Sequence, residues 1–96
     1  MYRVIKPRGT GKTKELMIKA LEESTYPVIL CANPSGMRRK AEAYGIIGID
    51  FKGYDEFHSL SDDTDYYIDE LENFVKYYFS ENGKLRGYSL TNEDWK

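Results

Sequence analysis

The chain has 96 residues, of which 41% are hydrophobic and 31% charged, a composition typical of a small soluble domain. A domain of this size holds one modest core, which excludes enzymes that carry separate cofactor and substrate domains. The net charge of −2 is uneven, because residues 1–40 carry nine basic and three acidic side chains whereas residues 41–96 carry five basic and thirteen acidic ones. We therefore expect a local basic surface that could face phosphate, and no direct binding of nucleic acid.

Hydropathy and cysteine content indicate the compartment. The apolar runs are far too short to cross a bilayer, and the first residues contain no apolar signal-peptide core. The single cysteine, Cys31, lies in an apolar run and suits a reducing compartment. These features predict a cytoplasmic protein without membrane contact.

The first half of the chain alternates between strand and helix patterns. Residues 2–5 predict a short strand, and residues 12–24 predict a helix with apolar side chains at helical spacing. The continuous apolar run over residues 28–32 is typical of a strand buried on both faces of a parallel sheet. A second helix follows and ends at Gly45, and residues 46–51 predict a third strand.

The second half continues the alternation. Residues 65–69 predict a fourth strand and residues 71–79 a strongly amphipathic helix, whereas residues 52–61 are ambiguous and residues 85–90 allow a fifth strand. Strands that alternate with helices predict an α/β fold. We expect one domain over residues 1–96, built as a three-layer sandwich around a small, mostly parallel sheet of four to five strands.

The most informative segment is a glycine-rich loop between the first predicted strand and the first predicted helix. Phosphate-binding loops follow the pattern G-x-x-x-x-G-K-[ST], and the second half of that pattern is present here. Gly9 and Gly11 would let backbone N–H groups turn towards an anion, because no Cβ stands in the way. Lys12 would reach the terminal phosphates, and the Thr13 hydroxyl would hold Mg²⁺.

The first glycine of the pattern is Lys6 in this chain, which predicts either local strain or a different path into the loop. The predicted phosphate-binding residues are Arg8, Gly9, Thr10, Gly11, Lys12 and Thr13.

Two adjacent carboxylates end the fourth predicted strand. Asp69 stands at the carboxyl end of that strand, where open α/β sheets bind ligands, and Glu70 follows directly. Nucleotide hydrolysis needs a carboxylate for the metal and a group that orients water, and this pair offers both. The alternative is that both acids only favour the N-terminus of the next helix. The glycine-rich loop upstream favours the functional interpretation.

The two motifs together resemble a known family. Residues 8–13 resemble the Walker A loop, and residues 66–70 the Walker B strand, of the P-loop NTPases that have an extra strand and a catalytic glutamate, namely the RecA-like, AAA and helicase ATPases. The layout is also similar to that of short bacteriophage P-loop proteins. The resemblance implies ATP with Mg²⁺ as the ligand, and a location in the bacterial host cell if the protein is phage-encoded.

The resemblance also implies a role for individual residues. Lys12 would contact phosphate, Thr13 and Asp69 would hold Mg²⁺, and Glu70 would activate the attacking water. That branch of the family often carries a polar sensor after a fifth strand, and Thr91 and Asn92 lie in the matching place. An active protein would then be a nucleoside triphosphate hydrolase.

A function of a different class stays open beside this one. The short chain and the acidic second half also suit an interaction protein on a P-loop scaffold, which would act without turnover by binding and inhibiting a host factor such as a replication ATPase or a defence nuclease of the CRISPR type. In either case, the chain leaves little room for substrate recognition of its own. We therefore expect a protein partner or self-association in addition to the nucleotide.

Overall fold

A computed structural model of the chain describes residues 2–7, 9–80 and 83–89. Three α-helices, three strands and one 3₁₀ helix alternate along this part of the chain. In chain order they are helix α1 Lys12–Glu23, strand β1 Val28–Cys31, helix α2 Pro34–Ala43, strand β2 Asp50–Gly53, the 3₁₀ helix Tyr54–Ser59, strand β3 Tyr66–Ile68 and helix α3 Leu71–Tyr78.

The three strands form one parallel sheet in the order β2-β1-β3. Strand β1 lies in the middle, where Ile29 pairs with Phe51 on one side and Tyr67 on the other. All four residues of β1 are buried, as the continuous apolar run of this segment predicts for a strand covered on both faces. Parallel neighbours place the carboxyl ends of all three strands at one edge of the sheet.

Helices cover both faces of the sheet, so the fold is α/β with three layers. Because side chains alternate along a strand, Ile29 and Cys31 point to one face of β1 and Val28 and Leu30 to the other. The first pair belongs to a cluster with apolar side chains of α1 and α2, such as Met17. The second pair packs with side chains of the 3₁₀ helix and of α3.

Local sequence signals place both ends of α2. The side-chain oxygen of Asn33 accepts a hydrogen bond of 3.1 Å from the N–H of Gly36, and Pro34 occupies the first turn, where its missing N–H costs nothing. Gly45 follows the helix with φ +74°, in the left-handed region that glycine adopts readily. The predicted second helix is therefore confirmed.

Two predicted strands are not formed. Residues 2–7 carry no strand, and the Tyr2 hydroxyl instead donates to Glu15 of α1 at 2.7 Å while Lys6 forms an ion pair with the same carboxylate. Residues 85–89 carry no strand either, and Leu90 lies outside the described residues. The described part of the chain thus holds a three-stranded sheet instead of the predicted four to five strands.

The third predicted strand is displaced towards the C-terminus. The prediction was residues 46–51, whereas β2 begins at Asp50. Gly48 has φ +96°, which is incompatible with an extended strand, and Ile47 is 84% exposed. Ile46 and Ile49 instead pack against the core from the loop.

None of the helices in the described residues combines the length and the apolar character needed to cross a bilayer.

Candidate functional site

The glycine-rich loop leads directly into α1. Gly9 and Gly11 both have φ +81°, a conformation that costs an L-residue with a Cβ about 1–2 kcal/mol. A Cβ at either position would meet no atom within 4 Å, so the backbone conformation, and not crowding, requires glycine here. The hydroxyl of Thr10 donates to the carbonyl oxygen of Pro7 at 2.6 Å and ties the two sides of the loop together. Arg8 lies outside the described residues.

The start of α1 carries the features of an anion site. Gly11 is the N-cap and supplies no side chain to cap the first N–H groups of the helix. Those groups carry partial positive charge and point along the helix axis towards the loop. Lys12 and Thr13 are the first two residues of α1, so a cationic and a hydroxyl side chain flank these N–H groups.

Both predicted carboxylates lie next to this helix start. The hydroxyl of Thr13 donates to Oδ1 of Asp69 at 3.2 Å, across 56 positions of sequence. Nζ of Lys12 lies 2.9 Å from Oε1 of Glu70. The structure therefore brings the four residues of the two motifs into one site at the carboxyl edge of the sheet.

The backbone of Glu70 explains how two consecutive side chains reach the same helix. In an extended strand, neighbouring side chains point to opposite faces, so Asp69 and Glu70 would diverge. Glu70 instead has φ 61° and ψ 70°, and it is the one described non-glycine residue with positive φ. This left-handed conformation breaks the alternation directly after β3. It costs roughly 1–2 kcal/mol and is characteristic of functional sites.

The carboxylate of Asp69 is partly withdrawn from water. Burial raises its pKa above the ordinary value, and the negative charge of Glu70 acts in the same direction. The hydrogen bond from Thr13 and the positive charges of Lys40 and Lys12 lower the pKa, but they do not cancel the effect of burial. A desolvated carboxylate that lacks full compensation by protein cations is suited to bind a metal cation.

The donor set fits Mg²⁺. This ion prefers oxygen ligands in an octahedron at about 2.0–2.1 Å, so two neighbouring ligands lie about 3 Å apart. The Thr13 hydroxyl and Asp69 Oδ1 are 3.2 Å apart. The described residues contain no cluster of three or more His, Cys, Asp or Glu side chains able to hold a metal. Mg²⁺ in nucleotide sites uses only one or two protein carboxylates and takes its other ligands from phosphate and water, so such a site does not require a larger cluster.

Tyr54 is part of the site and was missed by the sequence analysis. Its hydroxyl donates to the carbonyl oxygen of Asp69 at 2.7 Å and lies 3.4 Å from that of Glu70. Burial, followed by the negative charge of Asp69, raises the pKa of Tyr54 to about 12, so it stays a hydrogen-bond donor at neutral pH. The available signal was its place directly after Gly53, the last residue of β2, at the same edge of the sheet as Asp69.

A cleft of about 440 Å³ adjoins the site at the carboxyl ends of β1 and β2. Tyr54 and Asn73 line it, and the N–H of Asn73 also donates to the carbonyl oxygen of Glu70 at 3.0 Å. A second cleft, of about 680 Å³, lies near the amino ends of the strands and is remote from the loop. The predicted sensor residues Thr91 and Asn92 lie outside the described residues.

Comparisons of the chain with protein-family models, with curated proteins and with solved structures gave no significant match.

Proposed function

We propose that the protein is a minimal P-loop domain that binds ATP with Mg²⁺ and hydrolyses it slowly. One observation carries the proposal, namely that Lys12 and Thr13 at the start of α1 meet Glu70 and Asp69 behind β3. The left-handed backbone of Glu70, a conformation that costs free energy and clusters at functional sites, supports the proposal. The same arrangement supplies groups for phosphate, for metal and for water, paired with each other at 2.9 and 3.2 Å.

Each residue has a role that follows from its chemistry. The free N–H groups after Gly11 and the ammonium of Lys12 would bind the terminal phosphates. Thr13 and Asp69 would hold Mg²⁺, which neutralises phosphate charge when it is bound. Once Lys12 turns to phosphate, the carboxylate of Glu70 loses its partner and can accept the proton of the attacking water.

The resting state of the site has to open before phosphate reaches Lys12. The ion pair between Lys12 and Glu70 occupies both the phosphate-binding cation and the base. Both side chains stay partly exposed, at 26% and 37%, so the pair is worth at most about 1 kcal/mol and yields to a polyphosphate. Only the fraction of free molecules with the pair opened can bind phosphate through Lys12, so the pair lowers the apparent affinity for ATP by about fivefold at most.

Calorimetric titration with ATP and Mg²⁺ tests the proposal. Lys12→Met should abolish detectable binding, since it removes the charge that contacts phosphate. Lys14→Met is the matched control, because Lys14 lies on the same helix but its ammonium sits 5.2 Å from the ring centre of Tyr44. Full affinity in Lys12→Met, or equal losses in both variants, would contradict the proposal.

A non-hydrolysing interaction protein is the second candidate. The observation in its favour is that α3 has no buried residue, while Leu71, Tyr77 and Phe79 are each at least half exposed. Such an apolar surface suits a protein partner, such as a host factor that the protein inhibits. Undetectable ATP binding by the intact protein would favour this function. ATP hydrolysis that disappears in Glu70→Gln would exclude a protein without turnover.

A further inference from the structure

The peptide that joins Asp69 to Glu70 is held by contacts that do not involve ligand-binding groups. The N–H of Asp69 donates to the carbonyl oxygen of Leu30 at 2.9 Å. This bond extends the hydrogen bonding between β3 and β1 one residue beyond the end of β3. The carbonyl oxygen of Glu70 accepts from the N–H groups of Asn73 and Phe74 at 3.0 and 3.2 Å. Between these two anchors, the carbonyl oxygen of Asp69 has the hydroxyl of Tyr54 as its partner.

Tyr54 is itself rigidly placed. It is only 7% exposed, and its ring lies edge-on to Phe74 of α3, with centroids 5.4 Å apart. Its chain neighbour Gly53 ends β2 and donates its N–H to the carboxylate of Glu56 at 2.9 Å. The hydroxyl is thus fixed between the carboxyl end of one edge strand, β2, and the turn after the other edge strand, β3.

We propose that Tyr54 is the positioning residue of the carboxylate pair: its hydroxyl holds the Asp69–Glu70 turn in the left-handed conformation that directs one carboxylate to Thr13 and the other to Lys12. A glutamate disfavours this conformation on its own, so an external contact must select it. Tyr54 touches the turn through backbone carbonyls only, and therefore acts on the two carboxylates through the peptide between them.

The conformational part of this inference is testable without nucleotide. Tyr54→Phe removes the hydroxyl and keeps the ring, so Glu70 should leave the left-handed region and the first turn of α3 should loosen. Hydrogen exchange of the Asn73 and Phe74 amides should then accelerate about tenfold or more. Adding Glu70→Gly should restore slow exchange in the double variant, because glycine adopts the left-handed conformation without help.

Tyr77→Phe is the matched control. Tyr77 also packs near Tyr54, with ring centroids 6.0 Å apart, but it is 51% exposed. Hydrogen exchange of the Asn73 and Phe74 amides in Tyr77→Phe should equal that in the unmodified protein. Unchanged exchange in Tyr54→Phe, or equal acceleration with and without Glu70→Gly, would overturn the inference. If Tyr54→Phe alone does not fold, folding of the double variant supports the inference and failure of both overturns it.

The catalytic part rests on the proposed function. Tyr54→Phe should lower kcat about tenfold or more, because Glu70 is displaced, and should weaken the Mg²⁺ dependence of ATP affinity, because Asp69 is displaced with it. The affinity measured without Mg²⁺ should stay within about fivefold, because the loop and Lys12 are untouched. A fall in affinity with unchanged kcat would overturn the positioning role. If the unmodified protein binds no nucleotide, the proposed function fails, and hydrogen exchange still decides the role of Tyr54.

Discussion

Lys12 and Glu70 form an ion pair in which Nζ and Oε1 lie 2.9 Å apart. The first residue of α1 is thereby joined to the residue that precedes α3, across the carboxyl edge of the sheet. In the proposed site, the pair keeps two functional groups in contact with each other until a phosphate displaces the carboxylate from the lysine. Removing the negative charge of Glu70 should therefore affect ATP binding and ATP hydrolysis in opposite directions.

Glu70→Gln should strengthen ATP binding and weaken hydrolysis. Removing the charge frees Lys12, and because the pair is partly exposed the gain is at most about 1 kcal/mol, or roughly fivefold in affinity. Loss of the base should lower kcat by about 100-fold or more. Glu72→Gln, in the first turn of α3, serves as the control and should change neither quantity. Hydrolysis at the normal rate in Glu70→Gln would refute the role of Glu70.

Asp69→Asn should stabilise the protein in the absence of Mg²⁺. Burial raises the pKa of Asp69 in the folded state, so the ionised carboxylate costs stability above the folded-state pKa, and the cost disappears as the pH falls through it. The variant should therefore unfold at a higher temperature than the unmodified protein at about pH 8, and the difference should close towards about pH 4. Calorimetric Tm values across this range provide the measurement. A variant less stable at neutral pH would contradict the assigned cause.

Gly11→Ala should cost about 1–2 kcal/mol of unfolding free energy, because φ is +81° at this N-cap and no neighbouring atom obstructs a methyl group. Gly87→Ala is the control, since Gly87 also has open space but no positive φ, and the change should stay within about 0.5 kcal/mol. Urea titration of both variants measures the two free energies of unfolding. Equal stability of the two would show that the loop conformation is not fixed in the free protein.

Cys31 should resist alkylation in the folded protein. Its side chain is 1% exposed, and burial raises the pKa of the thiol to about 11, so little thiolate is present or accessible at neutral pH. Reaction with iodoacetamide, followed by mass spectrometry, should be about 100-fold slower than for the unfolded chain. Rapid labelling without denaturant would show that the central strand β1 opens readily.

The sequence predicted those parts of the fold that a strong local pattern dictates. The run over residues 28–32 and the helical spacing in α1 correspond to β1 and α1 as observed. The strand predicted over residues 2–5 was wrong because a short apolar segment says nothing about pairing, and side-chain contacts to Glu15 tie this segment to α1 instead. A strand requires a neighbouring backbone, which a short pattern alone does not specify.

The sequence was enough to identify residues of the candidate site, but not to predict how they are arranged. Residue types and spacing were enough to single out Lys12, Thr13 and the two carboxylates. The left-handed backbone of Glu70 was not predictable, since glutamate rarely adopts it and only tertiary contacts impose it. Tyr54 escaped notice because a tyrosine that donates to a backbone carbonyl belongs to no sequence motif.

The Mg²⁺ dependence of ATP affinity tests the central claim most directly. In the unmodified protein, Mg²⁺ should strengthen ATP binding about tenfold or more, because Thr13 and Asp69 complete the coordination of the ion. Thr13→Val should lose this dependence, whereas Thr13→Ser, which keeps the hydroxyl, should retain it. Absence of ATP binding in the unmodified protein, or an equal effect of Mg²⁺ on all three proteins, would contradict a nucleotide site at the start of α1.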